Sequence, residues 1–501
     1  MIIRRCQVFG TSGLSDIALR GGVIQAVVPT GSLQADDGED VIDADGRVVI
    51  PGLWDEHVHM GQWASHLRRI DVSDASSPDE ALSLMANAAT SRPNDPVMVG
   101  AGMRPATWAV EPDLAAIDAA SGDIPWVMFS IDIHSCWANT AALKRFGYDS
   151  DSGFLTEHDS FGLLGKVEAV DAATHDQWVA EAEQMAASRG VVGIVDLDMG
   201  PTLDNWMRRR HGQEDSFTLR VEAAVYPDTL HVALERGLTS GERLAPGVSM
   251  GPLKAITDGS LNTKTAYVSS PYVGGDPHVL GTLNYTVEDI HEFSSRAHQA
   301  GLDVTLHAIG DRANTIMLDV FQSHGITGRI EHAQLVSTED IPRFADLRVT
   351  ASIQPQHAID DREVTDVLWS DRADNAFPVR SLLDAGAHVV FGSDAPVSTL
   401  DPWVQIAAAV TRTDDEREPW HPKQAITVSQ AIACSTRSTI TAGQVADVVV
   451  LDADPAWLER ALAKKPSELS RVLRALPVWM TVVEGRVSYR ASSGEDAAAE
   501  G

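Results

Sequence analysis

Cysteine is scarce in this chain, and its scarcity excludes two architectures. Cys6, Cys136 and Cys434 are odd in number, widely spaced and without any Cys-x-x-Cys pair, so neither a disulfide framework nor a thiolate zinc site is available. They read as reduced thiols. Basic residues are also few: 39 against 71 acidic ones leave a formal net charge of −32. That balance excludes a sequence-independent grip on phosphate backbones or on an anionic membrane surface, so neither nucleic acid nor membrane is expected as a partner. No stretch reaches about 18 uninterrupted apolar residues, which leaves no candidate transmembrane helix. Met1 to Gln7 carries basic residues, yet no apolar region of signal-peptide length follows, and a cytoplasmic protein is expected.

The chain has 501 residues, 44% of them hydrophobic, enough to bury a large core in two or three structural units. Its most informative stretch is Gly52-Leu53-Trp54-Asp55-Glu56-His57-Val58-His59, an apolar run ending in two histidines one residue apart. Side chains alternate across a strand, so His57 and His59 point the same way, about 6–7 Å apart along the backbone. Two imidazoles so placed can grip one metal ion. Three further strand-like runs end in metal-ligating residues: Leu306-His307, Ile330-Glu331-His332 and Phe391-Gly392-Ser393-Asp394. Coincidence does not account for four such ends.

Short strands with tight turns fill the first fifty residues: Ile2 to Phe9, Asp16 to Arg20, Val23 to Val28, Val41-Ile42 and Val48 to Ile50. A matching β-rich piece returns in Ala446 to Leu451, Pro477 to Val483 and Arg486 to Arg490. Residues 1–50 and 440–490 are therefore expected to pair into one small sheet domain. The tail from Ala491 to Gly501 is small and acidic and is expected to be disordered. Between the two ends, apolar strands alternate with amphipathic helical stretches, the pattern of a parallel α/β fold. Eight strands are expected: Leu53–His59, Val191–Asp196, Leu219–Tyr226, Leu253–Asp258, Val304–His307, Arg329–His332, Val349–Gln354 and Val389–Ser393. Eight is the barrel number, and His59, Lys254, His307, His332 and Asp394 fall at or near the carboxyl ends where barrels place catalytic groups. Residues 60–188, too long for one βα connection and containing the runs Val97–Gly100 and Trp126–Ile131, are expected to form an inserted cap within a barrel spanning 51–439.

These residues, in this order, resemble the amidohydrolase superfamily and within it amidohydrolase family 3, the branch that includes N-substituted formamide deformylases. The resemblance runs from Pro51-Gly52 through Asp132-Ile133-His134-Ser135, Lys254 to Ser260, His307 to Ala313, Glu331-His332-Ala333-Gln334, Gln354-Pro355-Gln356-His357 and Gly392 to Val397, to Ala446 to Val450. It implies a metal-dependent (β/α)8 TIM barrel with a β-sandwich built from both termini. It also implies two divalent metal ions, zinc by default, although iron, manganese or cobalt would accept the same ligands. His57, His59 and Asp394 resemble the ligands of one ion, and His307 and His332 those of a second. In the single-metal version of the superfamily, one or both of the latter serve instead as a ligand and an oxyanion donor. Lys254 resembles the lysine that reacts with carbon dioxide to bridge two metals as a carbamate. The swap turns a repelled ammonium into two oxygen ligands. A mononuclear site with unmodified Lys254 is the alternative.

His134, Trp137 and Asn139 in the expected cap, and Gln354 and His357 after the seventh strand, resemble positions that face the pocket. Asp258 is expected to contact substrate and, with Gly259, to shape the loop after the fourth strand. Asp311 and Arg312 read equally as a loop ion pair or as substrate contacts, and Glu168 occupies a family-like position without an assigned role. Trp63, Trp108, Trp126 and Trp137 fall in or beside the cap and read either as an apolar pocket wall or as ordinary packing.

The reaction implied is hydrolysis of a small-molecule amide or N-formyl bond, a C–N bond other than a peptide bond. Water activated by metal would attack, Asp394 would act as general base and acid, and His357 or His332 would hold the oxyanion. One rival is a mononuclear aminohydrolase acting on a heterocycle; such enzymes carry a Glu shortly after the fifth-strand histidine, where this chain has Ala308-Ile309-Gly310-Asp311. A second is a non-catalytic binding or regulatory relative, but no ligand position is lost. A nucleophile-based hydrolase is weaker still, because no Gly-x-Ser-x-Gly elbow accompanies a triad. The oligomer considered is a homodimer.

Overall fold

The computed structural model describes residues 1–92, 95–105, 108–130, 135–156, 158–212 and 216–492, the side chains of 161 and 168 excepted. His134, the tail beyond 492 and the Glu168 side chain thus lie outside the described residues. The chain divides into two units, Met1–Met60 with Glu183–Gly501, and Gly61–Ala182. Among the described residues no helix is long and apolar enough to cross a membrane.

In the first unit eight parallel strands follow one another around a nearly closed barrel: β1 (Leu53–Val58), β2 (Val191–Asp196), β3 (Arg220–Val225), β4 (Val248–Ile256), β5 (Val304–Ala308), β6 (Arg329–His332), β7 (Thr350–Ile353) and β8 (Val389–Phe391). β1, β2 and β5 are buried at every position; β2 accordingly reads as an almost continuous apolar run, whereas β1 buries Asp55, Glu56 and His57 in its middle. β4 begins five residues before its expected start, because Gly251-Pro252 reads as a turn. In the fold Gly251 instead lets the backbone of Ala223 approach, and an added Cβ would lie 2.8 Å from that residue's carbonyl carbon.

The barrel closes where β8 returns to β1, through a parallel bridge between Val58 and Ala395. Gly392 makes this approach possible: a Cβ there would sit 2.5 Å from the His57 nitrogen and 2.6 Å from its Cβ. The amide of Asp394 donates to the His57 carbonyl at 2.7 Å and that of His59 to the Ala395 carbonyl at 2.9 Å. Buried Asp55 completes the seam, its Oδ1 accepting from the amides of Ser393 at 2.9 Å and His57 at 3.1 Å.

The two chain ends join in one sheet in which Val48–Pro51 pairs antiparallel with Val448–Leu451. Ile3, Cys6, Val49, Val448, Val450, Met480 and Val482 share its core. Burial pushes the Cys6 thiol up to about 12, and all three cysteines are free and buried. Two helices, Pro455–Ala461 and Pro466–Arg474, interrupt the C-terminal strands.

The second unit holds a five-stranded sheet of Arg69–Asp71, Met98–Met103, Trp126–Ser130, Ser135–Ala138 and Phe154–Thr156, its first three strands parallel. Trp108, Trp126 and Trp137 belong to its core with Met85, Met98, Met128 and Ile117. The Trp108 indole donates to the Ala75 carbonyl at 3.0 Å, and Trp137 is fully buried. Trp137→Ala is accordingly expected to cost about 3–5 kcal/mol of unfolding free energy, the usual loss for a buried tryptophan. Urea denaturation followed by circular dichroism measures this, and an unchanged midpoint would refute the packing role.

Candidate metal centre

The strand ends converge. Asp394, just beyond β8, directs Oδ1 at two imidazoles, lying 3.2 Å from Nε2 of His57 and 3.2 Å from Nε2 of His59. Its Oδ2 lies 3.3 Å from Nε2 of His357. Donor atoms of His57, His59 and Asp394 all fall within 4.8 Å of one another, as do those of His332, His357 and Asp394. Asp394 belongs to both groups. It has φ +57°, and His332 has φ +72°, conformations that L residues adopt at a cost of order 1–3 kcal/mol and that cluster at functional sites.

Buried carboxylates orient the histidines from behind. His57 Nδ1 lies 2.8 Å from Glu331 Oε2, which leaves Nε2 for the cluster, and the Gln354 amide approaches the same Nδ1 at 3.3 Å. His307 Nδ1 lies 2.9 Å from Asp258 Oδ1, out of line with a good hydrogen bond. The Asp258 carboxylate also accepts from the amides of Tyr267, Ile309 and Gly310 at 2.9–3.1 Å.

Electrostatics separate these groups. Burial alone would raise Asp394, but the His57 charge and hydrogen bonds from His357, His57 and His59 hold it well below the usual carboxylate range. Burial would lower His59 and His357, yet hydrogen bonding and charge from Asp394 raise both. His332 moves down, through burial first and the neighbouring His307 second, and so stays a neutral imidazole of the kind that ligates metal. Lys254, on β4, is 1% exposed, and burial pulls it down to about 8.

The buried donors fit a divalent cation. Nδ1 of His332 and Nζ of Lys254 are buried without a hydrogen-bond partner, an expense that a bound ion and its ligands would remove, whereas the unpaired Nδ1 of His59 is the nitrogen turned from Asp394 and that of His307 faces Asp258. His307 is in no three-residue donor group among the described residues, but its ring centroid lies 4.5 Å from that of His332.

Other expected positions resolve differently. Asn139 caps the helix Thr140–Phe146: Oδ1 accepts from the amides of Ala142 and Trp126, while Nδ2 donates to Ser121 and to the Ile124 carbonyl. Both donors and both lone pairs are thereby spent within its own unit. Asp311 pairs with the amide and hydroxyl of Ser269 rather than with Arg312, which is exposed. Glu331, next to His332 in sequence, is a site residue that ligand spacing alone does not reveal. Its signal is a carboxylate at a wholly buried strand position, two residues after Arg329.

An eight-strand parallel barrel carrying histidines and an aspartate at its carboxyl ends defines a class of metal-centred α/β proteins. Within that class the chain belongs to the amidohydrolase family, whose model matches residues 40–489. It is 28% identical to Protein LONG AFTER FAR-RED 3 of Arabidopsis thaliana, over 88% of this chain and 84% of that one. It is 25% identical to the N-substituted formamide deformylase of Arthrobacter pascens, over 90% of each chain. In fold it is similar to an uncharacterized metal-dependent hydrolase from Pyrococcus horikoshii OT3, with TM-score 0.76 at 23% identity, covering 91% of this chain and 98% of that one.

Proposed function

We propose that the protein is a divalent-metal-dependent hydrolase that cleaves an amide or N-formyl C–N bond in a small molecule. The observation that carries this reading is the convergence of His57, His59, His332, His357 and Asp394, with imidazole nitrogens left unpaired in a buried site. The likeness to an N-substituted formamide deformylase supports the bond type. His57, His59 and Asp394 would hold one cation, and His307 and His332 a second, with Lys254 as a carbamate bridging them. When bound, such a cation, zinc by default, supplies Lewis acidity, lowering the pKa of water to about 7 and polarising a carbonyl.

The chain's own residues supply positioning and proton transfer. Asp394 accepts the proton of the attacking water and passes it to the leaving nitrogen. His357, raised by the same carboxylate, donates a hydrogen bond to the developing oxyanion. Gln354, whose Oε1 is buried without a partner, and Arg312, exposed at the start of the helix after β5, are proposed substrate contacts.

The test is a turnover screen of metal-reconstituted protein against N-formyl amines, N-acyl amino acids, cyclic ureas, lactones and aminoheterocycles, with metal content measured in the same samples. Turnover of N-formyl or N-acyl amines with about two ions per chain is expected. Full activity with one ion would remove the second site, and turnover confined to aminoheterocycles would replace the amide reading with deamination.

A further inference from the structure

We propose that Arg329, at the amino-terminal end of β6, is a positioning residue for the metal centre: it fixes Glu331 so that His57 presents Nε2 to the cation. The proposal rests on the metal reading above.

Barrel interiors are ordinarily filled by Val, Ile and Leu. Here a chain of charged side chains crosses the interior instead. Arg329 and Glu331 are two residues apart on β6 and so point the same way. Arg329 Nε donates to Glu331 Oε1 at 2.7 Å, and Thr305 on β5 donates to the same oxygen at 2.6 Å. Two donors on one oxygen set the plane of the carboxylate and turn Oε2 toward His57 Nδ1 at 2.8 Å. His57 Nε2 then lies 3.2 Å from Asp394.

Arg329 is itself fixed. Nη1 donates to Glu56 Oε2 and Nη2 to the Glu56 carbonyl, each at 2.8 Å. Glu56 is gripped from its other side by Arg437, whose Nε and Nη2 lie 2.6 Å from Oε1 and Oε2. Arg437 also reaches Glu222 and stacks over Trp54, 3.7 Å from the ring centroid. Glu56, Arg329 and Arg437 line a cavity of about 720 Å³ among residues that begin strands, such as Val304 and Thr350, whereas Glu331 is wholly buried. The outer end of the chain is open and the inner end is sealed.

Stability does not explain this arrangement. A buried ion-pair chain is often no more stable than an apolar core of equal volume, because desolvation offsets the attraction. A guanidinium does what an aliphatic side chain cannot: its fork spans two carboxylates in fixed geometry. Partners that orient a ligating histidine typically govern metal affinity by 10–100-fold.

The experiment titrates zinc into metal-free full-length protein by calorimetry for wild type, Arg329→Met and Arg329→Lys, with urea denaturation run in parallel. Arg329→Met removes the donors at similar length and should weaken zinc binding by about 10–100-fold. Arg329→Lys keeps the charge but loses the fork, and should fall between. A merely structural arginine would lower the urea midpoint while leaving the folded protein's zinc affinity at the wild-type value, and that result overturns the proposal. If Arg329→Met does not fold, Arg329→Lys decides: weaker zinc binding supports the role and wild-type affinity refutes it. Failure of the wild-type protein to bind zinc, cobalt or manganese would instead refute the metal reading, before any variant is made.

Discussion

Replacing Asp394 by Asn is expected to cut turnover by at least about 10²-fold while metal content falls much less. The substitution keeps shape and one oxygen, but it removes the charge and the capacity to accept a proton at neutral pH. Two features make it a clean test. Asn tolerates the left-handed backbone as Asp does, so φ +57° adds no new strain. The hydrogen bond that the residue 394 amide donates to the His57 carbonyl at 2.7 Å is made by the main chain, so the seam of the barrel survives the change. What is lost is the anion between His57, His59 and His357, the group those histidines hold ionised. The measurement is turnover at verified metal loading across a pH series. Near-normal turnover in the fully metallated variant would move the proton shuttle elsewhere, with His357 the next residue to examine.

The barrel was legible because parallel strands buried on both faces read as largely apolar runs: Val191–Asp196 is interrupted by a polar residue only at its last position, and Val304–Ala308 only at Thr305 and His307. The residues that converge at the strand ends, His57, His59, His332 and Asp394, were legible because a histidine or aspartate at the end of a buried strand has few structural uses. Pairings between distant strands were not legible. Glu331 reaches His57 and Arg329 reaches Glu56 across 274 and 273 residues of sequence, contacts fixed by barrel closure rather than by local spacing. Asn139 shows the reverse error. A conspicuous polar residue in a family-like position drew attention as a pocket contact, while its helix-capping role was written in the Asn139-Thr140-Ala141-Ala142 start. Trp108 and Trp137 had two readings, and their burial in the core of the inserted unit favours packing.

Lys254→Ala is expected to lose most bound metal and with it activity, and a short carboxylic acid in solution should restore part of both. The argument turns on sign. An ammonium 4 Å from another unit positive charge is repelled by about 4 kcal/mol at an effective dielectric of 20, and more strongly by a divalent ion. If Lys254 stayed a cation, truncating it would relieve that repulsion and tighten metal binding. If it becomes a carbamate, truncation removes two oxygen ligands and loosens it. The local environment favours the second outcome: Nζ is buried without a partner, and desolvation lowers the group to about 8, against weaker opposing pulls from Glu331 and Asp394. Only the neutral amine attacks carbon dioxide. Deprotonation through about pH 8 makes roughly a tenth of Lys254 reactive at pH 7 and nine-tenths at pH 9. At a fixed concentration of dissolved carbon dioxide, metal loading of the wild-type apoprotein should therefore be faster at pH 9 than at pH 7, and Lys254→Ala should lack that dependence. Metal content by elemental analysis and turnover in the same samples check both claims. Wild-type or higher metal content in Lys254→Ala would end the bridging role and leave an unmodified lysine beside a single ion.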